Sequence, residues 1–334
     1  MNIFRKIHLP LLAAVSVIGL GLSSCKSSPI LKPDTPQNEN EHKDHEEASR
    51  AEITLQAVRV SKDGTVTMLP KAVGSKYDLN YQKIVFETTK EGFMPKAGMP
   101  NKFVVRGGLA QGKTPVDPAS AGWTDETFDI AKAHNGDMLY FMTIRTYALD
   151  GDDMTHEFAT AEESKIHQIF FRTDSRTGTE FAPANAVYNV DDYRFLTYYY
   201  ADKTPWDKAD GAFTGISNPI GLDGYIEFYQ PNTMFDLKIN LLHAQGFTKY
   251  LEDGKSTSPF YKPTPTQESK GDWEDLNLTI PVIVYAGTED GYLISGEYAD
   301  LSKEEKLLVQ KLAKALGVSE QEAFDNLRIA DEQQ

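Results

Sequence analysis

Short segments that alternate apolar and polar residues, with no helical pattern between them, constrain this chain more than any other feature of it. Residues 51–60 read Ala-Glu-Ile-Thr-Leu-Gln-Ala-Val-Arg-Val, which turns one side of an extended segment toward a core and the other toward water. Lys62-Asp63-Gly64 supplies turn chemistry before a second extended run at residues 65–68. Further strands are expected at residues 83–88, 102–106, 138–147, 166–172, 194–200, 225–229, 235–243 and 276–285, many of them separated by Gly, Pro, Asn and Asp. Strands that follow one another without helices do not build βαβ units, so a parallel sheet is not expected. The fold class is mainly β: an antiparallel β-sandwich, immunoglobulin-like or barrel-like, over residues 51–290.

The C-terminal end changes character. Ser302-Lys303-Glu304-Glu305 is a capping-box pattern, and it opens an apolar stripe of Leu308, Leu312 and Leu316 at helical spacing. Gly317 fits a helix stop, and Ser319-Glu320-Gln321-Glu322 opens a second short helix through Ile329. Residues 300–330 therefore read as a helical hairpin. It either packs on the β body or serves as a small protein-contact module, and packing is the simpler reading.

The N-terminal end sets the compartment. Arg5 and Lys6 precede a mostly apolar run at residues 9–22, which is too short to span a membrane comfortably and suits a cleaved signal. The run ends in Leu22-Ser23-Ser24-Cys25, and Cys25 is the one cysteine in 334 residues. A lone cysteine preceded by small residues, at the end of an export signal, is where diacylation occurs. Residues 1–24 are therefore expected to be a lipoprotein signal peptide, and Cys25 to carry palmitate-type acyl chains that anchor the chain to a membrane. Intramolecular disulfides are excluded by the count. Residues 25–50 are polar, rich in charge and proline and without periodicity, as in a flexible tether. Loss of Arg5 and Lys6 with the signal takes the net charge from −15 to −17, a surface that repels phosphate backbones and excludes nucleic acid as a partner.

Seven histidines can be placed one by one. His8 leaves with the signal. His42 and His45 lie among acids in the tether, where imidazoles and carboxylates can hold Zn²⁺ loosely or simply be solvated. His134 lies in the body, apart from the predicted strands. His167 and His243 fall within or at the end of predicted strands. A rigid sheet could bring them together, with His156 and a carboxylate such as Glu162 or Glu163 completing a metal site. The alternative is a pair of hydrogen-bonded interior histidines.

Other motifs carry less. Gly107–Thr114 matches the phosphate-binding pattern G-x-x-x-x-G-K-T, but Pro115 disfavours the helix such a loop must open, so the match is read as chance. Asp150-Gly151-Asp152-Asp153 is an acidic turn without the EF-hand spacing. Residues 173–235 are rich in aromatics. Of these, Tyr198, Tyr199, Tyr200 and Trp206 are candidates for stacking on a glycan or on haem, against the plainer reading of strand and core composition. Zinc-protease, serine-nucleophile and cysteine-nucleophile signatures are missing, which points to a protein that is not an enzyme.

Three segments together resemble a known group. They are Glu163-Ser164-Lys165-Ile166-His167-Gln168-Ile169-Phe170-Phe171, Asn218-Pro219-Ile220-Gly221-Leu222 before a strand ending at His243, and Trp273–Val282. With the acidic, His-containing tether, the pattern is similar to small Bacteroidetes cell-envelope lipoproteins that accompany TonB-dependent outer-membrane receptors. The chain departs from that pattern by apparent insertions around residues 90–130 and 173–215 and by its C-terminal helices. The resemblance implies a β-sandwich accessory protein in nutrient uptake, lipid-anchored at the outer membrane on its periplasmic face or at the cell surface. Its implied cargo is a transition metal ion such as Zn²⁺, or haem. Glycan binding, or a structural and adhesive role in the envelope, are the alternatives.

Overall fold

A computed structural model describes residues 48–74, 77–110, 112–136, 138–176, 181, 193–206, 208–286 and 296–332. The expected signal, Cys25 and the tether with His42 and His45 lie outside these residues. The described residues belong to one compact unit.

The alternating segments form strands. β1 (Arg50–Val60), β2 (Val66–Met68), β3 (Tyr81–Thr89), β4 (Gly92–Pro95), β6 (Leu139–Tyr147), β8 (Leu196–Tyr200) and β11 (Asp223–Phe228) make one sheet, and β5 (Phe103–Gly107), β7 (His167–Ser175), β12 (Thr233–His243) and β13 (Asn277–Ala286) make a second. The larger sheet runs β4-β3-β1-β6-β11-β8, with β2 added to β1, and all its pairs are antiparallel. The smaller runs β5-β13-β12-β7. A short hairpin, β9 (Lys203–Thr204) with β10 (Ala212–Phe213), stands beside the larger sheet's last strand.

The two sheets share one core. Ile53 and Leu55 of β1, Met142 and Ile144 of β6, and Ile226 and Phe228 of β11 meet Ile169 and Phe171 of β7, Leu237 and Ile239 of β12, and Ile280 and Val282 of β13. This is the sandwich read from the alternation, a mainly β fold of antiparallel sheets followed by two helices. One pairing departs from the expectation: β5 runs parallel to β13. A parallel pair needs a long crossover, and the 169 residues between these strands, which include most of the sandwich, provide one.

Strand β5 and the second half of β13 are almost wholly apolar because both faces are covered there. Phe103, Val105, Val282 and Val284 face the other sheet, while Val104, Ile283 and Tyr285 face outward into a second cluster. That cluster is completed by α3 (Lys303–Leu316) and α4 (Glu320–Glu332). Ser302 accepts from the Glu305 N–H while the Glu305 carboxylate accepts from the Ser302 N–H, and Gly317 ends α3 at φ 69°. Leu308, Val309, Leu312, Phe324 and Leu327 are buried against the small sheet, at about 1.5–3 kcal/mol each. Packing is thus the role of the helical hairpin. Two shorter helices, α1 (Ile130–Ala133) and α2 (Pro265–Lys270), are capped by Asp129 and Thr264.

Candidate metal centre

His167 opens β7 and His243 closes β12. The antiparallel register sets them directly opposite each other. His167 shares the inward face of β7 with Ile169 and Phe171, and His243 shares that of β12 with Ile239 and Leu241. Both imidazoles therefore point between the sheets, at one end of the core. Their ring centroids lie 4.5 Å apart at 50°, and the Phe158 ring meets His167 edge-on at 5.1 Å.

A carboxylate completes the group. Glu163 stands one turn before His167, in a short 3-10 helix at Glu163–Lys165. Its Oε2 is 3.4 Å from His167 Nδ1, and its backbone oxygen is 3.0 Å from the same nitrogen. One donor atom from each of Glu163, His167 and His243 lies within 4.8 Å of the others. On the far side, Asp275 Oδ2 is 3.2 Å from His243 Nδ1. A carbonyl oxygen only accepts, so the His167 Nδ1 contact to Glu163 is one in which the ring donates. Exposure is 0% for His167, 4% for His243 and 7% for Glu163, so the group is closed to bulk water.

These residues fit a divalent ion by the chemistry of their donors. Two histidines and one glutamate are a zinc ligand set, and Asp275 behind His243 is the carboxylate that commonly orients a ligating ring. Bonds of about 2.0–2.2 Å in a tetrahedron would set ligand atoms roughly 3.4 Å apart, inside the 4.8 Å limit that holds the three donors.

Two buried charged side chains, Lys249 and Asp202, brace this end of the core through backbone groups. Lys249 Nζ donates to the backbone oxygens of His167 at 3.1 Å and Pro219 at 2.5 Å. Asp202 accepts the N–H groups of Ile220, Gly221 and Leu222 at 2.8–3.0 Å. Burial pushes the Asp202 carboxyl up to about 6, against the pull of the Gly221 and Ile220 N–H groups. Burial likewise brings Lys249 down to about 7, against the charge of Asp202.

Not every expected residue joins the cluster. His156 is exposed on the 3-10 helix Thr155–Ala159, and Glu162 is exposed and paired with Lys165, so neither completes the site; Glu163 does. Tyr198 and Tyr199 correct the expectation of a stacking surface. At 1% and 2% exposure they are core residues, with hydroxyls bonded to Gly221 O and to Glu227. Tyr200 donates to Ile169 O. The edges of these three line a narrow cleft of ≈ 260 Å³, whereas Trp206 borders a larger one. The G-x-x-x-x-G-K-T segment opens no helix: the next helical turn is a 3-10 turn at Pro118–Ser120, as Pro115 leads one to expect.

A second buried constellation escaped the sequence reading. Glu227 is wholly buried and accepts from His134 Nδ1, from the N–H groups of Asn135 at 2.7 Å and Gly136 at 2.8 Å, and from the hydroxyls of Tyr199 at 3.0 Å and Tyr229 at 2.5 Å. Burial raises its pKa, but these donors, His134 foremost, outweigh burial and hold it below the usual carboxylate value. Alternation in β11 marks position 227 only as a strand residue, and nothing local separates it from the chain's other acids.

No protein-family model matches the chain, and no curated protein or solved structure matches it either.

Proposed function

We propose that the chain is a cell-envelope lipoprotein, anchored through Cys25, that binds a divalent transition-metal ion for uptake. Zn²⁺ is the first candidate, and Glu163, His167 and His243 hold it. The observation that carries this reading is the convergence of three donor atoms within 4.8 Å in a closed pocket, with His243 far from the other two in sequence. An accessory role beside a TonB-dependent receptor is what the resemblance adds, with His42 and His45 as a loose collector on the tether. Among the described residues no helix is long and apolar enough to cross a membrane. A bare ion fits better than haem, because imidazoles 4.5 Å apart and buried leave no gap for a macrocycle. Burial also favours binding over catalysis, since a substrate has no path to the cluster. Exchange requires the segment around Phe158 and Glu163 to open, so the ion is expected to leave slowly.

The test is calorimetric titration of the full chain with Zn²⁺, beside a variant with His42→Ala and His45→Ala and beside His167→Ala and His243→Ala singly. One ion per chain should bind to the tether variant and be lost in either body variant. Absence of binding by the tether variant would overturn the assignment. Thermal unfolding with and without ion separates lost binding from lost folding, because an ion held only by the folded state raises its stability.

A further inference from the structure

The larger cleft is lined by none of the metal ligands and lies on the outer face of the larger sheet. Its floor is the pair Phe141 and Tyr225, which the register of β6 and β11 sets opposite each other, with ring centroids 5.0 Å apart at 61°. One wall is the segment around Phe128, and another is the β9–β10 hairpin with Trp206 and Phe213. Phe128 and Phe213 stack at 5.1 Å and 10°, and the Arg145 guanidinium lies 4.9 Å over the Trp206 ring. All five aromatic rings are half-buried. The volume is ≈ 1170 Å³, above the usual range of about 300–1,000 Å³ for small-molecule pockets, and suits an extended ligand.

Charge and strand order narrow the ligand. Among the described residues the lining carries four carboxylates and three lysines, nearly balanced on a chain whose net charge is −15. Neither a polyanion nor a polycation is favoured by such a lining. The floor strands β6 and β11 are interior to their sheet, so they offer no open edge to which an extended peptide could add. What remains is a neutral chain with apolar faces to lie on aromatic rings and hydroxyls to pair with carboxylates and ammonium groups.

We propose that this cleft binds a neutral oligosaccharide, with Trp206, Tyr225 and Phe141 as stacking platforms. The site is independent of the metal cluster, so each can fail without the other.

The experiment titrates the full chain in mild detergent with maltohexaose, cellohexaose, xylohexaose and mannohexaose, and with an acidic oligogalacturonide. At least one neutral hexasaccharide should bind, and Trp206→Ala and Tyr225→Ala should each weaken it about tenfold or more. Leu149→Ala, an exposed change outside the cleft, should leave it unaltered. Unfolding midpoints confirm that the variants fold; Trp206 sits on the hairpin side of the cleft, so its variant is the safer of the two. Absence of binding by every neutral sugar, binding of the acidic one alone, or affinity unchanged in both aromatic variants would each overturn the proposal.

Discussion

The Glu163–His167–His243 cluster and the Glu227 constellation are both buried carboxylate–histidine groups, yet their donors are arranged differently. Around Glu227 one carboxylate meets an imidazole, two backbone N–H groups and two phenols. Its charge is met where it stands, and the result is a knot that ties the loop at 134–136 to β11. Around His167 and His243 there are two carboxylates and two imidazoles, and donor atoms of three side chains converge on one another instead of on a single carboxylate. Burial of a carboxylate with a histidine does not by itself distinguish the two groups; the donors around it do.

The largest effect should come from breaking the knot. Glu227→Leu leaves several buried donors facing an apolar side chain, and about 3–5 kcal/mol of stability should be lost in urea unfolding. Zn²⁺ affinity should be unchanged wherever the variant is folded; a parallel loss of both would mean the two groups are one unit. Asp275→Asn is the reciprocal test. It keeps the fold but loosens the orientation of His243, and Zn²⁺ affinity should fall about 10–100-fold by titration.

The pH dependence distinguishes two of the buried acids. Glu227 has a lowered folded pKa, so the stability it contributes is present above 4.5 and is lost as pH falls through its folded value. Asp202 has a raised one, so its contribution is present below 3.8 and is lost as pH rises through about 6. Denaturant unfolding across that window should therefore show a smaller fall in stability with rising pH in Asp202→Asn than in the native chain, whatever the overall level. The smallest effect is expected far from both groups: Ser302→Ala removes the cap of α3 and should cost about 1 kcal/mol.

Much of the fold was legible because alternation marks a sheet with one wet face. Residues 51–60 and 235–243 show it, and the strands found there extend the expected limits by at most two residues. Strands β4, β9 and β10 were missed, being too short to show a period. Helix α2 was overlooked although Thr264-Pro265-Thr266-Gln267 carries both the capping box and a proline at the first turn. At the site, the position of His167 and His243 near strand ends was readable, but their meeting was not, because it depends on the register of two strands far apart in the chain. Glu163 was named as one of two carboxylates, and geometry chose it over Glu162. Asp275 and Glu227 had no signal, since an acid's importance here comes from neighbours supplied by other strands and loops.

The place of β13 has a consequence for how the molecule comes together in time. It lies between β5 and β12 in the smaller sheet, although its residues are among the last of the body. For a chain that emerges N-terminus first, β5 has no strand beside it in that sheet until nearly all the rest has appeared. The sandwich cannot close early, and a chain cut short before residue 277 would be left with an open core rather than a smaller version of the same protein.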